Sequence, residues 1–204
     1  MYAIITDGSI SKYVTHPKPL VIGDVQYPAR IFSAWTASEL AAIGIIEVTY
    51  DYSNKKDEKW YINTNQTFTY DASAGTVTAT YESATAKAHA DTLWTAQDET
   101  DGLGIEGEVK VEGLKTQLIK TIKQQAAGKL QKTDWYIVRK ADAGTAVPSA
   151  ITNHRAAVRT KTAQMETAIT NASNTPALET LYTYTEQEDG SVARPLGELP
   201  SLES

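Results

Sequence analysis

The apolar positions of this chain change period once, near residue 82. Before that point they alternate, as in strands with one face turned inward. The run Tyr2-Ala3-Ile4-Ile5-Thr6 favours a strand, and Asp7-Gly8 after it is a hairpin turn signal. An extended pattern resumes over 10–14 and is broken by His16-Pro17-Lys18-Pro19. Residues 20–27 hold a further extended stretch with Gly23-Asp24 as a turn. Thr36-Ala37-Ser38-Glu39 fits a capping box, in which a threonine hydroxyl and a glutamate carboxylate satisfy free amides at a helix start. Leu40, Ala41 and Ile43 give that short helix its apolar face, and Gly44 ends it. Strands follow over 45–50, Trp60-Tyr61-Ile62, 66–70 and 76–81. In the last of these Val77, Ala79 and Tyr81 share one face and threonines the other.

After residue 82 the spacing becomes helical. Ala86, Ala90, Leu93 and Trp94 predict a helix over 84–96, and the acidic, glycine-bearing stretch 98–107 reads as a loop. A helix is predicted over 109–129, where Leu114, Leu118, Ile122 and Ala126 lie four apart. Residues 134–140 form a compact aromatic segment, and Pro148 opens a helix running to about Asn171. Ile151, Arg155, Val158, Thr162, Met165 and Ile169 form its seam, suited to a helical hairpin or short coiled coil. Its expected role is packing within the chain against Leu114 to Ala126; docking or self-association is the alternative. Thr175 caps a last short helix, and from Thr183 the chain is polar and extended. Such a tail frays unless a partner surface holds it. The predicted fold is α+β: a β-rich module with a short helix over 1–82, a helical region over 83–172, and a short helix with an extended tail over 173–204.

Composition narrows the chemistry. The 204 residues include no cysteine, which removes disulfides, thiolate metal sites and cysteine nucleophiles. A net charge of -6 argues against nucleic acid as a partner. No apolar run reaches the length of a membrane span, and the start lacks the pattern of a secretory signal. Nucleophile elbow, phosphate loop, dinucleotide fingerprint and zinc helix are absent. His16, His89 and His154 stand far apart, so no metal or cofactor is expected. Asp98, Glu99, Asp101, Glu106 and Glu108 lack the oxygen spacing of a calcium loop and are expected to be a solvated loop.

Two candidates carry alternatives. Arg155 lies in the apolar seam, either as a packed stem with its head group in water or paired, or as a ligand contact. Trp135 and Tyr136 suit a sugar-stacking platform, or an anchor that buries its rings to close a helical hairpin, which is the expectation. Asp134 is expected to cap or to pair locally with Arg139. The candidate docking and packing residues are therefore Trp135, Tyr136, Ile151, Arg155, Val158, Met165 and Ile169.

The stretch Leu130-Gln131-Lys132-Thr133-Asp134-Trp135-Tyr136, then Arg139-Lys140, Ala146-Val147-Pro148 and the helical Arg155 and Arg159, resembles the C-terminal segment of bacteriophage tail-fibre assembly and tail-associated proteins. Val21-Ile22-Gly23-Asp24-Val25-Gln26-Tyr27-Pro28, Trp35 to Leu40 and Ile43-Gly44-Ile45 are similar to a small module of phage tail and fibre proteins. The resemblance covers about half of the chain. It implies a non-enzymatic phage protein of the tail or fibre apparatus; the leading expectation is a virion component made in the host cytoplasm. Other tail or fibre proteins are its implied partners, with a homo-oligomer inside an assembly. A fibre-assembly chaperone absent from the virion is one alternative. A receptor- or glycan-binding module using Trp60, Tyr61, Trp135 and Tyr136 is another.

Overall fold

The structure is a computed structural model that describes residues 1–202. The fold is α+β, and the chain divides into two compact units, Met1–Thr85 and Ala86–Ser204.

In the first unit, strands β1 (Tyr2–Thr6) and β2 (Ser9–Val14) form a hairpin. Its turn places Asp7 at φ 51° and Gly8 at φ 74°, the two positive angles that a tight right-twisted hairpin requires. β3 (Leu20–Ile22) and β4 (Val25–Tyr27) form a second hairpin around Gly23-Asp24. Helices α1 (Ile31–Ala34) and α2 (Ala37–Ala42) follow. The capping box at α2 is fully formed: the Thr36 amide donates to the Glu39 carboxylate at 2.7 Å, and the Glu39 amide donates to the Thr36 hydroxyl at 3.3 Å. Next come β5 (Ile45–Asp51), β6 (Tyr61–Ile62), β7 (Gln66–Asp71) and β8 (Thr76–Tyr81). The main sheet has the order β2-β1-β5-β8-β7, antiparallel except for the β5–β8 pair. The sheet curls until Tyr13 on β2 and Phe68 on β7, its two edges, place their rings 4.8 Å apart.

β1 explains the continuous apolar run at the start of the chain. Ile4 belongs to a core with Val14, Leu20, Ile31, Leu40 and Ile45, while Ala3 belongs to a second core with Val48, Val77 and Ala79. The strand is covered on both faces, so alternation gives way to an unbroken hydrophobic segment. Each large side chain buried this way contributes roughly 1.5–3 kcal/mol.

The second unit contains β10 (Thr92–Leu93), α3 (Ala96–Thr100), β11 (Val109–Val111), α4 (Leu114–Gln131), α5 (Asp134–Ala143), α6 (Ser149–Asn171) and α7 (Thr175–Tyr182), with β9 (Thr85–Ala86) at the junction. Small strands β12 (Thr185–Glu186) and β13 (Val192–Ala193) follow. α4 and α6 pack antiparallel: the Lys115 ammonium donates to the Thr170 carbonyl, and Arg155 reaches the Leu130 carbonyl at the other end. Leu114, Leu118, Ile122 and Ala126 meet Ile151, Val158, Met165 and Ile169, so the seam is a packing face inside one chain.

Several expectations fail here. Residues 84–95 are not helical. The carbonyls of Ala88 and His89 instead accept from the Leu114 and Lys115 amides, and the Asp91 carboxylate accepts from the Gly113 amide and the Thr116 hydroxyl. That segment thus satisfies the free donors of α4, and it could not do so from within a helix of its own. Residues 109–111 form a strand, and α4 begins only after Gly113. The acidic stretch contains a short helix, α3, with a capping box from Thr95 and Asp98. Residues 134–140 are helical as α5. The cap of α7 is Asn174, while the Thr175 hydroxyl donates to the Lys87 carbonyl at 2.6 Å. The tail is not simply extended: β12 and β13 pair, and Leu196 and Leu199 are buried in the chain's own second unit.

Gly44 shows how tightly α2 meets the sheet. It has φ 79°, and a Cβ there would sit 2.7 Å from the Ile5 carbonyl oxygen. Gly44→Ala is expected to destabilise the first unit by about 2 kcal/mol. Gly75→Ala, at φ 66° in open space, is expected to cost no more than about 1 kcal/mol. Hydrogen exchange in β1 and β5 of the full chain distinguishes the two; equal losses would refute the close-approach argument.

Candidate docking surfaces

Arg155 is the point from which the exposed surface of the second unit is built. It is 8% exposed within the α4–α6 seam. Its Nη1 donates to the Leu130 carbonyl at 2.8 Å, the Thr133 hydroxyl at 2.7 Å and the Asp134 carboxylate at 2.8 Å. Two protons face three acceptors there, so at least one proton is shared. Thr133 is itself 1% exposed and donates back to the Leu130 carbonyl. The group therefore locks the turn between α4 and α5 onto α6. Asp134 pairs with Arg155 and not with Arg139.

That lock projects α5 outward. No residue of α5 is buried, although the helix carries Trp135, Tyr136, Ile137 and Val138. Trp135 is 51% exposed and Val138 65%. The expectation that Trp135 and Tyr136 bury their rings to close a hairpin is corrected: polar contacts from Arg155 close it, Trp135 is exposed and Tyr136 is only half-buried beside it. Their centroids are 4.0 Å apart, and the Arg139 guanidinium sits 4.6 Å from the Trp135 ring centre. The result is a preorganised aromatic and cationic face. A groove of about 370 Å³ beside it is lined by Ile137, Lys140, Val147 and Arg159. Of the other seam candidates, Ile151, Val158, Met165 and Ile169 are buried in the α4–α6 core.

A second exposed surface lies between β10 and β11. Leu93 and Val109 are cross-strand partners, yet both are 47% exposed. Leu103 and Ile105 at the tip are 60% and 57% exposed. This excursion is rigidly built. The Trp94 amide donates to the Glu108 carbonyl, the Gly107 amide donates to the Trp94 carbonyl, and the Leu103 amide donates to the Asp98 carbonyl. Gly104 lies against the Trp94 ring so closely that a Cβ would come within 2.4 Å of it. Lys110 covers the ring at 4.4 Å and donates to Asp98 at 2.9 Å. That bond, with the Thr95 amide and hydroxyl, pulls the Asp98 carboxyl down to about 2. The stretch expected to be a solvated loop is an acidic rim around apolar side chains. The signal was present as Leu103, Ile105, Val109 and Val111, which a loop with no partner has no reason to carry.

In the first unit, Trp60 and Tyr61 are 3% and 5% exposed, with lysine ammonium groups over their rings. They are withdrawn as glycan contacts. The exposed aromatics of that unit include Tyr13, Trp35, Tyr50 and Tyr52, and the rings of the last two stack at 6.0 Å.

A cleft of about 870 Å³ is lined by Gln125, Lys129, Met165, Tyr184, Arg194 and Glu198 among others. Its polar groups hold one another: Arg194 pairs with Glu198 at 2.8 Å, and the Tyr184 hydroxyl donates to Glu198 at 2.5 Å. This bond to a carboxylate raises the Tyr184 phenol above its ordinary value. Among the described residues no group of three or more acids and histidines could hold a metal ion, and no helix is long and apolar enough to cross a membrane. No family model matches the chain, and neither a curated protein nor a solved structure does.

Two outcomes follow from this geometry. Arg155→Met keeps the apolar stem but strands the acceptors on the α4–α5 turn, and is expected to cost about 2–3 kcal/mol in the second unit. Asp134→Ala, whose carboxylate is 54% exposed, is expected to cost less than about 1 kcal/mol. Peptide-resolved hydrogen exchange over α4 and α6 compares them, and equal costs would remove Arg155 from the central role. The lowered Asp98 carboxyl contributes stability that is present above its ordinary value of 3.8 and is lost as pH falls toward about 2. An NMR titration should place its midpoint near the lower value, and Lys110→Met should move it upward. An unmoved midpoint would show that Lys110 does not set it.

Proposed function

We propose that this chain is a non-enzymatic structural component of a bacteriophage tail or fibre apparatus, carried in the virion, and that it works as an adaptor through protein–protein docking. The observation that carries the reading is α5, a ten-residue helix with no buried residue and with large apolar side chains facing outward. Exposed aromatic residues flanked by arginine are the composition of interface centres, not of ordinary surface.

The residues that resemble the phage families divide between two tasks. Thr133, Asp134 and Arg155 build the lock, while Trp135, Tyr136 and Arg139 form the face it presents. That division is what a docking element needs: a rigid support and an accessible contact. The reading assigns no catalysis, metal or cofactor to the chain. Its partners are other tail or fibre proteins and further copies of itself.

Quantitative mass spectrometry of gradient-purified particles is the test. A fixed ratio to the major tail proteins is expected. Absence from particles, with a stable fibre-protein complex in the infected-cell lysate, would replace this reading with an assembly chaperone. Trp135→Ser with Val138→Ser is expected to cut incorporation by roughly tenfold or more while leaving hydrogen exchange in α4 and α6 unchanged.

A further inference from the structure

The two exposed surfaces of the second unit are opposite in charge and alike in apolar content. On α5, Trp135, Ile137 and Val138 are exposed, and Lys140 and Arg159 line the groove beside Ile137. Asp134 on this helix is committed to Arg155, which leaves Asp142 as its other acid. On the excursion, Leu103, Ile105 and Val109 are exposed among Glu99, Asp101, Glu106 and Glu108. The one lysine between β10 and the end of β11, Lys110, is occupied by Asp98 and the Trp94 ring. The surfaces do not cover each other within one chain, since the apolar side chains of both remain exposed in it.

We propose that the basic α5 face of one copy seats on the acidic excursion of a second copy. This rests on the reading of α5 as a docking face and names its partner. Charge complementarity selects the pairing and excludes the two like-with-like alternatives, α5 on α5 and excursion on excursion, which set like charges against each other. Both surfaces are held rigid before contact, α5 by the Arg155 lock and the excursion by the Trp94–Gly104 packing, so little ordering cost remains. Because the contact joins two different patches, it is heterologous. Each copy keeps one of each patch free, and the contact repeats until a ring closes or a filament grows.

The test is sedimentation of the full chain over a range of concentration and salt. The wild-type chain is expected to self-associate, less so at high salt. Glu106→Lys with Glu108→Lys, and separately Lys140→Glu with Arg159→Glu, are each expected to give monomer. Mixing the two reversed proteins in equal amounts is expected to restore assembly, because every contact between unlike copies then joins opposite charges. Leu103→Ser with Ile105→Ser, which leaves charge untouched, is also expected to give monomer and stands in for any reversal that does not fold. A wild-type chain that stays monomeric overturns the proposal. So do reversed chains that associate as wild type does, and folded reversed chains that remain monomeric after mixing. A monomeric wild-type chain that still enters particles through Trp135 would overturn self-association alone and leave the docking reading intact.

Discussion

A single buried guanidinium holds the second unit in its working form. Arg155 sits where the α4–α6 seam calls for an apolar residue, and its stem packs there. Its head group gathers a carbonyl, a hydroxyl and a carboxylate from the end of α4 and the start of α5. The Nε of the same side chain is buried without a hydrogen-bond partner, so the site tolerates one unmet donor to place the other end of the group. With the turn fixed by polar contacts, the aromatic residues that follow are not needed for packing. Trp135 is left exposed and Tyr136 half-buried, with the Arg139 guanidinium over both rings.

Local chemistry made much of the first unit legible. The positive backbone angles at Asp7-Gly8, the turn at Gly23-Asp24 and the Thr36/Glu39 cap all depend on residues within a few positions of one another. The sheet order was not legible in the same way. β8 inserts between β5 and β7 and pairs in parallel with β5, where its Val77 and Ala79 join Ala3 and Val48 in one core. In the second unit the apolar stripes of α4 and α6 gave the helices and their mutual packing. Residues 84–95 depart from their helical pattern because alanine favours a helix only locally, while the amides of α4 require that segment's carbonyls and the Asp91 carboxylate.

The exposed surfaces were harder to read, for a physical reason. A tryptophan next to a tyrosine carries the same hydrophobicity whether it is buried or presented. What decides is whether something else closes the hairpin, and the partners of Arg155 that do so lie 21 to 25 positions from it in sequence. The same ambiguity hid the excursion. Its acids dominate the composition, while its fixed shape comes from a tryptophan ring against a glycine, a contact that no periodicity announces.

The closure of the second unit has a consequence for its birth. The Thr175 hydroxyl meets the Lys87 carbonyl, and Leu196 and Leu199 are buried in that same unit, so its two sequence ends are both required to finish it. The sheet of the first unit is complete once Tyr81 has been made. During translation the first unit can settle early, but the second must wait for residues more than a hundred positions downstream of its start. A nascent chain therefore exposes an unfinished helical half beside a finished sheet. All the residues of the lock that holds α5 have been made by position 155, so that helix can take its place while Leu196 and Leu199 are still to come.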